Sequence, residues 1–182
     1  MTIDQFEIVG MEARDLTILQ QVARQAFFET FAHEVSDTDM QQYLESSFAL
    51  DKLQREYLNA DSMFFLARLN KKVIGYIKLN FKAAQTEPQN NSAMEIERIY
   101  LLKAYQDRHF GQMLLFKAFS VATQKQCSYI WLGVSERNTK AMHVYRKNGF
   151  EVFDEHTFIL GSEYQTDLLM KKTPKLAGNF SK

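Results

Sequence analysis

Apolar positions recur along this chain in two periods, and the switches between them mark out the elements. Residues 13–32 set Leu16, Leu19, Val22, Ala23, Ala26 and Phe27 at the spacing of a helix with one buried face. The stretch 5–9 before it reads as a short strand. Ser36 and Asp37 offer an N-cap for a second helix running through Leu44 to Phe48. Asp51 is placed to cap a third helical segment at 52–58. Apolar runs at 63–69 and 73–81, split by Asn70, Lys71 and Lys72, predict a hairpin. The polar stretch 83–91, with Pro88, predicts a loop.

Beyond that loop the texture changes. Residues 94–101 read as a strand, and 106–126 as a long helix with Phe110, Leu114, Ala118 and Val121 on one stripe. A buried strand is expected at 129–134 and a short helix at 138–148, stopped by Gly149. Strands at 150–160 and 164–170 close the pattern. The main order, β-α-α-β-β-β-α-β-α-β-β, describes an α/β domain with a mixed sheet. There is no internal repeat. The polar stretch 173–182, with Pro174 and Gly178, is expected to be a loose tail, leaving 1–172 as a single domain.

Composition narrows the classes. A length of 182 residues suits one domain that needs no staples to hold its core. The 22 basic and 22 acidic side chains cancel, which leaves no electrostatic footprint for nucleic acid or an anionic membrane. Fifteen Phe against two Pro argue against a long disordered segment. Cys127 is the single cysteine, so no internal disulfide forms. Residues 1–25 lack the apolar run of a signal peptide, and no window approaches a membrane span. A cytoplasmic protein is therefore expected. His33, His143 and His156 have no Cys or carboxylate at ligand spacing, so no metal site is expected. Phe27, Phe28, Phe31 and Cys127 read as core.

Candidate chemistry sits in two segments. In the first, the strand Ile96-Glu97-Arg98-Ile99-Tyr100-Leu101 turns through Lys103-Ala104-Tyr105 into a helix opening Gln106-Asp107-Arg108-His109-Phe110-Gly111-Gln112. Such an opening aims unpaired backbone N–H groups outward and suits a phosphate or pyrophosphate. In the second, the strand Trp131-Leu132-Gly133-Val134 precedes Asn138, Ala141, Tyr145 and Gly149-Phe150. In order and separation, the two segments resemble the motifs of the GNAT acetyltransferase superfamily, covering about residues 94–158. Tyr43-Leu44-Glu45-Ser46-Ser47-Phe48, Glu95 to Tyr100, Trp131 to Val134 and Gln165-Thr166-Asp167-Leu168 further resemble bacterial polyamine (spermidine/spermine) N-acetyltransferases.

The resemblance implies a mixed, mostly antiparallel sheet of about seven strands flanked by helices. It implies acetyl-CoA as cofactor, an amine as small-molecule partner, and allows a homodimer. Backbone groups of Ile99, Tyr100 and Leu101 would pair with the pantetheine arm, and N–H groups from Gln106, Asp107, Arg108, His109, Phe110, Gly111 and Gln112 would cradle the pyrophosphate. Leu132 and Asn138 would touch the pantetheine, Lys147 would lie near the phosphates, and Tyr145 would sit by the sulfur as proton donor. His109 departs from the motif, which has glycine there. His tolerates positive φ better than most residues, so the turn can survive the change.

Amide formation needs a neutral amine, whereas an alkylammonium has a pKa near ~10.4, so a base is required. Glu95 and Glu97 share one face of their strand by alternation. Glu97 is the expected base, being closer to the pantetheine-binding residues. On the acceptor side, residues 25–51 hold Glu29, Glu34, Asp37, Asp39, Glu45 and Asp51 and no Lys or Arg. These acids are read either as a rim that attracts a polycation or as solvated helix faces. Three functional readings stay open: a polyamine acetyltransferase, a peptide or protein acetyltransferase, and a non-catalytic acyl-CoA-binding module.

Overall fold

The computed structural model describes residues 5–87, 90–160 and 163–174. Pro88 and, from residue 175 on, the expected tail lie outside the described residues. The elements are β1 (Phe6–Gly10), α1 (Leu16–Phe31), α2 (Asp37–Ser47), α3 (Leu50–Leu58), β2 (Ser62–Leu69), β3 (Lys72–Phe81), β4 (Met94–Leu101), α4 (Phe110–Gln124), β5 (Ile130–Ser135), α5 (Thr139–Lys147), β6 (Glu151–Leu160) and β7 (Glu163–Lys172).

The local chemistry explains most boundaries. Ser36 caps α2 by accepting from the Asp39 amide at 3.1 Å. Asn70 and Lys71, at φ 50° and 69°, make the tight turn between β2 and β3. Two expectations are corrected. Asp51 does not cap α3: Ala49 holds that position without a side-chain bond, and Asp51 instead pairs with Arg55 at 2.7 Å in the exposed first turn. The long helix begins at Phe110 rather than at 106, because Asp107 (φ 59°) and His109 (φ 63°) are left-handed, which no right-handed helix accommodates.

The seven strands form one sheet in the order β1-β2-β3-β4-β5-β7-β6. All neighbours are antiparallel except β4 and β5. One face packs Ile74, Ile77, Leu79, Ile96 and Leu132 against Leu114 and Ala118 of α4 and Met142 of α5. The other packs Leu66 and Tyr76 against Leu19, Phe27, Leu44 and Leu53 of α1–α3. Gly75 is required where β3 crosses β4, since a Cβ there would stand 2.4 Å from the Tyr100 carbonyl oxygen. Among the described residues no helix is long and apolar enough to cross a membrane.

Candidate active site

β4 and β5 run parallel, but only Met94–Ile130 and Glu95–Trp131 pair before the strands part. A parting parallel pair leaves edge N–H and C=O groups that need other partners. Here the gap opens into a cavity of about 940 Å³. Ile99, Tyr100 and Leu101 line it from β4, Leu132 from β5, and α1, α2, β6 and β7 close its far side.

At one end of the gap lies the turn into α4. The first intrahelical bond runs from the Met113 amide to the His109 carbonyl (3.1 Å). The amides of Phe110, Gly111 and Gln112 therefore have no helical partner and carry the positive end of the helix dipole. A Cβ at Gly111 would meet only Leu101, at 3.6 Å, so the approach to these amides is open. Of the residues expected to cradle a pyrophosphate, Gln106, Asp107, His109, Gly111 and Gln112 line the cavity. Arg108 and Phe110 do not. The Arg108 guanidinium lies 5.4 Å over the Phe110 ring, which stacks on Phe6 at 4.6 Å. The Asp107 carboxylate binds Lys140 of α5 at 2.8 Å, and Gln112 exchanges two hydrogen bonds with Asn148 (2.7 and 3.0 Å). The turn and α5 are thereby fastened to each other.

Asn138 caps α5, its Oδ1 accepting from the Ala141 amide at 3.1 Å. At the other end Gly149 (φ 85°) reverses the chain. The Phe150 amide donates to the Tyr145 carbonyl (3.1 Å) and the Gly149 amide to the Arg146 carbonyl (2.9 Å). This folds the Phe150 ring edge-on against Tyr145, at 5.8 Å. Tyr145 lines the cavity with only 9% of its surface exposed, and burial pushes its phenol up to about 12. Asn138 and Lys147 also line the cavity.

The carboxylates are arranged by an irregularity. Lys78 is opposite Arg98 and Leu79 opposite Ile96, so Glu97 is the extra residue of a bulge in β4. Glu97 and Arg98 consequently meet the same buried partners. Arg98 donates to both Glu56 oxygens (2.8 and 3.0 Å) and lies 3.0 Å from Glu97. Lys78 bridges Glu56 (3.0 Å) and Glu97 (2.6 Å). Burial alone would raise the Glu97 carboxyl, but Arg98 and Lys78 outweigh it and hold it below the ordinary value. Glu97, the base expected from sequence, thus has its charge engaged by two cations. Glu95 does lie on the same side, since Asn80 donates to both (3.1 Å to Glu95, 2.6 Å to Glu97). Burial raises the Glu95 carboxyl, even though the Thr86 amide and hydroxyl also donate to it.

The acidic stretch of 25–51 does not form one rim. Glu29 lines the cavity and accepts from the Lys103 amide at 2.7 Å. Asp37 and Glu45 line a separate surface depression on α2, and Asp39 accepts from the Ser36 hydroxyl. The cavity wall includes, besides Glu29, the acids Glu87, Glu95, Glu97 and Asp167. Sequence reasoning missed Glu87 and Asp167. Glu87 sits in a polar loop and Asp167 in a closing strand, and only the register Ser135–Asp167 and His156–Asp167 brings the latter to the site.

The sequence profile described as the acetyltransferase (GNAT) family matches residues 20–150, spanning the turn, α4 and α5. The chain belongs to that family. The relatives of this GNAT acetyltransferase include an uncharacterized N-acetyltransferase of the pepI 3′ region in Lactobacillus delbrueckii subsp. lactis, 37% identical over 91% of this chain and 96% of that protein. The spermidine N(1)-acetyltransferase of Thermoplasma acidophilum is 28% identical over 88% of this chain and 98% of its own. Among solved structures, the PaiA N-acetyltransferase of Thermoplasma acidophilum in complex with coenzyme A superposes with a TM-score of 0.77 at 27% identity, covering 93% of this chain and 99% of that one.

Proposed function

We propose that this acetyltransferase moves an acetyl group from acetyl-CoA to a primary amine, with a polyamine such as spermidine or spermine as the acceptor class. The observation that carries the reading is the parting of β4 and β5 beside unpaired α4 amides, with Tyr145 on the same cavity. The coenzyme A bound by the related PaiA structure supports it.

The thioester supplies an activated acetyl group. The open β4 edge at Ile99, Tyr100 and Leu101 holds the pantetheine arm as an added strand, and the amides of Phe110, Gly111 and Gln112 hold the pyrophosphate. An amide of the same edge donates to the oxyanion of the tetrahedral adduct. Tyr145 donates a hydrogen bond to the departing sulfur. Glu97 fixes the β4 bulge through Lys78 and Arg98 rather than taking a proton.

The polyamine class is supported by Glu95 and Asp167, wall carboxyls with no ion-pair partner among the described residues, and by the named activity of the Thermoplasma relative. Steady-state thiol release with acetyl-CoA tests both halves. Spermidine should exceed a monoamine of equal chain length in kcat/KM, and its advantage should shrink with salt, because screening acts over about 8 Å at ~0.15 M. Equal kcat/KM for the two amines, or a preference for a peptide N-terminus, would remove the polyamine assignment. Neutralising Asp37 and Asp39 together should leave the KM for spermidine unchanged.

A further inference from the structure

Acetyl transfer to an alkylammonium requires a group that takes its proton, and Glu95 and Glu97 both have their oxygens bonded elsewhere. We infer that Asp167 is the general base: its carboxylate stands on the face of the sheet away from α4, beside the place where β4 and β5 part. This inference rests on the acetyl-transfer reading above.

Position is the first argument. Gly133 is opposite Leu169 and Ser135 opposite Asp167, so these four share one face of the sheet. It is the face on which Leu169 packs with Trp131, while Leu132, Val134 and Met170 point to the α4 side. A Cβ built at Gly133 would lie 3.8 Å from Asp167 Oδ2, so the carboxylate leans over Gly133. Gly133 is two residues past Trp131, the last residue of β5 to pair with β4. Asp167 therefore stands beside the mouth of the gap.

Availability is the second. Asp167 lines the cavity, and among the described residues its carboxylate enters no hydrogen bond or ion pair. The groups that bear on it electrostatically come from three sides. His156 is its cross-strand partner on β6, Glu34 follows α1, and Tyr43 projects from α2. His156 has Glu87 3.4 Å from its Nδ1. Burial raises the Asp167 carboxyl, His156 opposes the rise, and the negative Glu34 adds to it. A base raised toward the working pH accepts a proton more readily.

The step balances. The ammonium gives one proton to the Asp167 carboxylate, and the freed lone pair forms the N–C bond to the thioester carbon. As the C–S bond breaks, the second N–H proton of the adduct goes to the thiolate and Asp167 releases the first proton to solvent, so the products are the amide, coenzyme A and one proton.

The experiment compares the full-length enzyme with its Asp167→Asn and Asp167→Glu variants, using acetyl-CoA and spermidine. For Asp167→Asn, kcat/KM should fall about 10²–10³-fold near neutral pH, with coenzyme A affinity by calorimetry unchanged. That variant must use the free-base fraction of the amine. Its kcat/KM should therefore climb about tenfold per pH unit toward the amine's pKa of ~10.4, while the wild type stays flat. Asp167→Glu retains a carboxylate and should retain the flat profile at a lower rate. A wild-type-to-Asn ratio that does not change with pH overturns the inference and leaves Asp167 as an ammonium anchor. Wild-type activity in Asp167→Asn overturns it outright. If Asp167→Asn fails to bind coenzyme A, the Glu variant decides, and a slope of one in its profile counts against the base role. No thiol release by the wild type with any alkylamine would sink the acetyl-transfer reading itself, and this inference with it.

Discussion

Tyr145 is enclosed on the side of Phe150 and open to the cavity, and burial brings its phenol to about 12. A thiol titrates near ~8.5, so full proton transfer from such a phenol to a leaving thiolate is uphill, by about 3.5 pH units. What the residue offers is a neutral donor, and a hydrogen bond to a charged partner contributes about 1.5–3 kcal/mol. Tyr145→Phe should lower kcat about 10- to 100-fold with little change in the KM for acetyl-CoA. The rate should show no loss from Tyr145 ionisation below about pH 11. An unchanged kcat under conditions where chemistry limits turnover would take Tyr145 out of the mechanism. Its place was legible because the Asn138-to-Phe150 segment is local. The carboxylates were another matter. Alternation placed Glu95 and Glu97 together, but their availability is set by Lys78, Asn80 and Thr86, from β3 and the loop after it. No local pattern encodes that.

Helix α5 shows how an element delivers a side chain. Its C-terminal reversal at Gly149 brings the Phe150 amide back to the Tyr145 carbonyl, so the stop signal also sets the ring that bears on the tyrosine. An L-residue in the left-handed region costs roughly 1–2 kcal/mol. Gly149→Ala should accordingly lower Tm by about 2–8 °C, given some 2–4 °C per kcal/mol for a chain of this size. Scanning calorimetry reads this, and an unchanged Tm would mean that the turn relaxes without strain. The strands, α1, α2 and α5 were readable from apolar period and caps. The start of α4 was not, because Asp107 and His109 keep helix-compatible side chains while the backbone turns left-handed. A residue type announces a preference, and the fastening of Asp107 to Lys140 belongs to the tertiary fold.

At the scale of the molecule, the pairing order β4-β5-β7-β6 decides what the site contains, and it lies beyond any window of the sequence. It brings Asp167 beside Gly133 and leaves Asp37 and Asp39 away from the cavity, although the latter belong to the denser acidic run. The same order has a mechanical side. Strands β1 to β4 and strands β5, β7 and β6 are two plates whose strands pair across a seam of only two residue pairs, with α4 packed over both. Such a seam is a natural line of sub-global opening, at a free energy below that of complete unfolding. A ligand that bonds to one lip and is caged by the other acts as a rivet, and at 100-fold excess over its Kd it adds about 2.7 kcal/mol to the closed form. Coenzyme A should therefore slow amide hydrogen exchange in β5 and β7 more than in β1 and β2. Equal slowing throughout would mean that the sheet opens as one piece. If the plates do work apart, the empty enzyme is the compliant form and the loaded one the stiff form, so rigidity arrives with the coenzyme.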